Sequence, residues 1–186
     1  MCSLKGTKEK YMLQLKCTQK VQRDLGLKPD DICDVKNPDS LLGNWYVNLF
    51  VVDRRKAFLF MNERTLLSFI AFGIKKSNVQ KMPELFLGGL EEVLTLEGFS
   101  TSAINDAFAG YGSIELTKTD SRSMLGNMND LTDLYKHFIL SEGGFKNCDF
   151  NRIISKINRT PQRNLGWSNS VEVARELLRG NTQYAT

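Results

Sequence analysis

The run from residue 44 to residue 61 constrains this chain more than any other stretch. Residues 44–52 are aromatic and β-branched, Asp53-Arg54-Arg55-Lys56 is polar, and residues 57–61 are apolar again. Two strand-like runs joined by so short a charged link predict a hairpin. Trp45 and Tyr46 are neighbours on its first strand and point to opposite faces, so one enters the core while the other faces out or meets another element.

Other elements follow from period and punctuation. Residues 11–15 predict an earlier strand, and residues 66–72 a third, although a buried helical turn gives the same apolar run. Residues 18–25 read as a short helix with Thr18 as cap and Gly26 just past its end. Residues 28–40, with two prolines and four aspartates, form a loop. Ser77 or Asn78 can cap a helical region that passes Pro83 and stops at Gly98, in two pieces, because proline suits a helix's first turn better than its interior. Further helices are expected over Thr101–Ala109, over residues 149–158 with Ile153, Ile154 and Ile157 on one face, and over Ser170–Arg179 with Ser170 as cap. Strands first and helices later predict an α+β fold. A small, mainly antiparallel sheet from the N-terminal half would pack against several helices from the C-terminal half.

The chain has 186 residues, of which 41% are hydrophobic, enough for one folded domain with a substantial core. The longest apolar run is far too short to span a bilayer, and no apolar region follows the lysines of the first ten residues. No membrane partner and a cytoplasmic location are therefore expected. Cys2, Cys17, Cys33 and Cys148 lack metal-type spacing, so free thiols are expected and no metal site is assigned. His137 is the only histidine and falls inside a helical pattern, which makes a serine–histidine–aspartate triad improbable and excludes a site built from several histidines. Lysines and arginines outnumber acids at both ends of the chain and are outnumbered by them between residues 21 and 150. Basic ends folded onto one face would attract an anion, though the same residues can simply solvate terminal helices.

The richest polar segment is KTDSRSMLGNMND, residues 118–130, between a short strand around Ile114 and Leu116 and a helix from residue 129 to residue 140. Asn127, Asn129 and Asp130 can cap that helix, as can Asp120 or Ser121 if it begins earlier. Alternatively, its free N–H groups, with Lys118, Thr119, Arg122 and Ser123 beside them, form an anion site. The glycine spacing of a Walker loop is missing. Arg54 and Arg55 either solvate the hairpin turn or present planar forks to phosphate or carboxylate. Asn158 and Arg159, before Pro161, read most simply as a helix stop.

Three stretches carry a resemblance: LGNWYVNLFVVDRRKAFLFMNERTLL from residue 42, KTDSRSMLGNMND from residue 118, and INRTP from residue 157. In this order, and with the opening MLQLKCTQKVQRDLGL, they resemble a bacterial family known as domain of unknown function 6933, over residues 12–161. The resemblance implies an N-terminal extension over residues 1–11, a single globular domain over residues 12–161, and a C-terminal tail with one helix over residues 162–186. It implies no reaction, cofactor or catalytic residue, and oligomeric state stays unassigned.

If the three polar motifs converge, Asp53, Arg54, Arg55, Asn62, Lys118, Thr119, Arg122, Ser123, Asn127, Asn129, Asp130, Asn158 and Arg159 share one surface. The leading expectation is a binding module that recognises nucleic acid or an acidic protein through that surface. One alternative is an enzyme of phosphoryl or nucleotide chemistry, with Asp53, Glu63 or Asp130 as base or metal ligand. The other is an interaction protein of a mobile element or phage–host conflict system, which rests on analogy.

Overall fold

A computed structural model describes residues 12–38, 40–109 and 111–179. The expected extension over residues 1–11 and the end of the tail lie outside the described residues. Strands β1 (Met12–Cys17), β2 (Trp45–Val52), β3 (Arg55–Asn62), β4 (Ser68–Ala71) and β5 (Ser113–Lys118) form one sheet in the order β4-β3-β2-β1-β5. The helices are α1 (Gln19–Leu25), α2 (Met82–Leu96), α3 (Thr101–Ala109), α4 (Arg122–Ser141), α5 (Phe150–Asn158) and α6 (Ser170–Arg179). The fold is α+β, as expected, with a mixed sheet. β2 with β3 and β3 with β4 are antiparallel, whereas β1 runs parallel to both β2 and β5.

The hairpin closes more tightly than four turn residues suggest. Val52 pairs with Arg55, which leaves Asp53 and Arg54 as the whole loop, at φ 47° and 62°. Two successive left-handed residues match the right-handed twist of the flanking strands.

Register separates two faces. Leu15, Trp45, Val47, Phe60 and Phe69 share one of them, where Trp45 meets Phe86 of α2 edge-on at 5.2 Å and Phe60 stacks on Phe69 at 5.1 Å. Full burial of each such side chain contributes about 1.5–3 kcal/mol. The opposite face carries Gln14, Lys16, Tyr46 and Asn48 and is covered by α4, whose Thr132 accepts from Asn48 Nδ2 at 3.2 Å.

Helix ends follow local chemistry. Thr18 caps α1 by accepting from Val21 N, and Gly26 ends it at φ 64°. Asp149 caps α5 through Arg152 N. The helix expected from residue 129 begins instead at Arg122, where Ser121 Oγ accepts from Met124 N at 3.3 Å. Its first two turns are polar on their outer face, so apolar period could not reveal them. Asn127, Asn129 and Asp130 therefore lie within the helix and do not cap it. α6 is capped by Asn169, not Ser170, because Asn169 Oδ1 takes the Glu172 N–H at 3.0 Å. Cys17 and Cys148 are free thiols, whereas Cys33 is disulfide-bonded, against the expectation of free thiols throughout.

Candidate functional site

The three polar motifs occupy different places. Asp53 Oδ2 accepts from Phe145 N at 3.0 Å, which fixes the hairpin tip to the loop after the C-terminus of α4. The approach depends on Gly144, since a Cβ there would lie 2.8 Å from Asp53 Oδ2. Arg122 begins the same helix at its other end. Twenty residues of helix lie between them, a length on the order of 30 Å. The hairpin tip and the α4 N-terminus are thus separate surfaces.

The remaining predicted residues divide between surface and interior. Lys118, Arg122 and Ser123 are exposed and contiguous around the start of α4, with Thr119 half-buried in the link. Asn129 and Asp130 are exposed further along α4. Asn127 is buried and accepts from Asn164 Nδ2, while its own Nδ2 has no partner among the described residues. Asn62 is wholly buried and organises the β3–β4 turn: its Oδ1 accepts from Arg64 N, Thr65 N and Thr65 Oγ1, and its Nδ2 donates to Leu42 O. Asn158 is no left-handed stop. It is the buried last residue of α5, and its side chain brackets the Ser68 backbone, accepting from N at 2.8 Å and donating to O at 2.7 Å. Arg159 Nε lies 2.8 Å from Glu97 Oε2, an ion pair by distance but off the line of a good hydrogen bond.

The tip is cationic and rigidly presented. Arg54 is exposed and makes no ion pair among the described residues. Arg55 holds its guanidinium 4.4 Å above the Phe145 ring. Phe145 in turn meets Phe72 and Phe150 edge-on at 4.7 and 5.1 Å, which fixes the ring beneath the arginine. Lys56 is paired with Asp24.

A second cluster escaped the sequence reading. Lys16 on β1 is buried, and its Nζ donates to Glu63 Oε2 at 2.9 Å and to Asp120 Oδ2 at 2.8 Å. Tyr46 OH donates to the other oxygen of Asp120, and Asn44 N donates to Glu63 Oε1 at 2.8 Å. Burial alone would lower the Lys16 pKa, but its two carboxylate partners outweigh this and hold it above the usual value. Asp120 is held below the usual carboxylate range: burial works against this, and the bonds from Lys16 and Tyr46 prevail. Burial, then Asp120, pushes the Tyr46 hydroxyl up. All three shifts lead away from neutrality, so at pH 7 the ammonium, carboxylate and phenol are fixed in state and unsuited to proton transfer. The one available signal was Gln14 and Lys16 alternating with Leu13, Leu15 and Cys17. Such alternation ordinarily means a solvated face, but here the connection from α1 crosses over it: Gln14 donates to Asp34 O and accepts from Lys36 N, both at 2.8 Å.

The family model described as "Domain of unknown function (DUF6933)" matches residues 14–173. The chain belongs to this family. No curated protein matches the sequence. The DUF6933 match begins inside β1 and ends inside α6, so the hairpin tip, the Lys16 cluster and the α5–α6 loop all fall within it. Among the described residues of this DUF6933 domain, no helix is long and apolar enough to cross a membrane, and no group of three or more His, Cys, Asp or Glu residues could hold a metal ion.

Proposed function

We propose that this protein is a binding module for an anionic partner, nucleic acid or an acidic protein surface, and that the β2–β3 hairpin tip makes the contact. The observation that carries the reading is the pair Arg54 and Arg55, uncompensated by any ion pair among the described residues and presented on a turn that Asp53 bolts to the α4–α5 loop. A guanidinium already held in place loses less freedom on meeting a phosphate or carboxylate than a free lysine does. The cytoplasm is the compartment in this reading; among the described residues no helix is long and apolar enough to cross a membrane.

Duplex DNA and polyglutamate titrated against the labelled full chain test it. Binding to at least one should weaken about tenfold between about 50 and about 200 mM salt, as expected for roughly two neutralised phosphates. Arg54→Ala and Arg55→Ala should each reduce it, and Arg122→Ala, at the far end of α4, should leave it unchanged. Salt-independent binding, or binding indifferent to both tip arginines, would refute the reading.

The phosphoryl-transfer reading keeps one supporting observation, since Glu63 and Asp120 do meet near the start of α4. Both, however, are taken up by the Lys16 ammonium. That reading requires magnesium to raise the melting temperature and Asp120→Asn to abolish the rise.

A further inference from the structure

Trp167 is 70% exposed, whereas the other tryptophan, Trp45, is fully buried. Its backbone is left-handed at φ 69°, directly after Gly166 at φ 63°. A residue with a Cβ enters that region at a cost, and here the indole stays largely in solvent. The loop nevertheless holds it firmly. Gln162 N donates to Ser168 O at 2.9 Å, Trp167 N donates to Gln162 O at 3.0 Å, and Gln162 Nε2 reaches Ser170 Oγ at 2.9 Å. Asn164 ties the same loop to Asn127 of α4.

The segment that carries the loop is basic in sequence. Arg163, four residues before Trp167, is exposed and makes no ion pair among the described residues. The nearest acid in sequence, Glu172, is engaged by Ser168 Oγ at 3.0 Å. From residue 151 onward, six lysines and arginines face two glutamates. An exposed indole and an uncompensated guanidinium on one hydrogen-bonded loop suit a partner that offers both a π-face and a negative charge. An unpaired nucleotide offers both. A duplex hides its base faces, and an acidic peptide would use Arg163 but has no use for the indole.

We propose that the α5–α6 loop is a stacking site for single-stranded nucleic acid, in which Trp167 takes the face of an unpaired base and Arg163 the adjoining phosphate. The site is separate from the hairpin tip, because the loop is anchored near the start of α4 and the tip beyond its end.

The buried Trp45 makes solvent-exposed tryptophan emission a direct report on Trp167. Oligothymidylate added to the full chain should quench that emission saturably, and Trp167→Phe should remove the quenched component. Trp167→Ala should weaken binding of a labelled oligothymidylate about tenfold, within the range for loss of one stacked base. Trp167→Gly, which relieves the left-handed backbone and so removes the indole without added strain, should weaken it equally. Absence of quenching, equal quenching by polyglutamate, inorganic polyphosphate or duplex DNA, or unchanged affinity in both variants would overturn the proposal. The double variant Arg54→Ala/Arg55→Ala separates the two readings: it should abolish binding of whichever probe the hairpin tip takes, duplex DNA or polyglutamate, and leave the oligothymidylate quenching in place.

Discussion

Lys16 and Asp120 stand 104 residues apart in the sequence, and their charged ends meet at 2.8 Å. With Glu63 on the other side of the ammonium, the contact joins β1 to the turn after β3 and to the entry of α4. Removing one partner of a buried pair leaves a charge uncompensated. Lys16→Met should therefore destabilise the protein by about 3 kcal/mol, at the low end of the range for buried pairs because water reaches Asp120. Equilibrium urea unfolding of Lys16→Met, Asp120→Asn and the double variant gives the coupling, and additive effects would refute the contact.

The same cluster sets a pH window. Asp120 is lowered in the folded state, so its contribution is present above its unfolded value of about 3.9 and is lost as pH falls through the lower folded value. Lys16 is raised, so its contribution is complete below about 10.4 and is lost as pH rises through the folded value. Melting temperature should stay level across neutrality and fall at both extremes. Asp120→Asn should flatten the acid limb.

Arg54 sits at φ 62°, where glycine is at ease and arginine is not. Arg54→Gly should stabilise the hairpin by about 1 kcal/mol while weakening binding of the anionic partner. Thermal melting and binding by the same variant should move in opposite directions. A parallel change would mean that the arginine supports the fold and not the partner.

Asn62 and Asn158 entered the candidate surface through the polar motifs of the family resemblance, yet both are buried and bond mainly to backbone. Asn62→Ala leaves two N–H groups, one hydroxyl and one carbonyl without their partner, so a loss of about 3 kcal/mol is expected. Duplex binding by whatever remains folded should match the wild type.

Glu97 is buried to 0% exposure at its side chain, with Arg159 beside it. Arg159→Ala should cost about 2 kcal/mol, less than a fully buried pair because the arginine is half in water. Glu97→Gln in the same background should recover part of the loss. Recovery should be seen in the denaturation midpoint without a change in slope.

Several local signals were sufficient. Thr18 and Gly26 bound α1, Thr101–Ala109 is a helix, and the alternation through Trp45 and Phe60 makes a hairpin. Caps and side-chain period act within a few residues, and nothing distant competes with them. The α4 start was placed at residue 129 with Ser121 kept as an alternative cap, and the alternative holds, because a polar helical turn looks like a loop until Ser121 is seen to cap it. Lys16 was passed over for a similar reason, since a lysine at an alternate strand position reads as solvated whenever the segment that will cover it lies elsewhere in the chain.

By itself, the amino-acid order determined most of the elements, the α+β class and the family, because each of these rests on neighbouring residues or on motifs read in sequence. Tertiary structure alone decided that β1 runs between β2 and β5 as a parallel strand, that Lys16 is enclosed by two acids, and that α4 keeps the hairpin tip away from Lys118 and Arg122. Coulombic and hydrogen-bond energies depend on separations in space, and across a hundred residues of chain those separations are set by packing and not by composition.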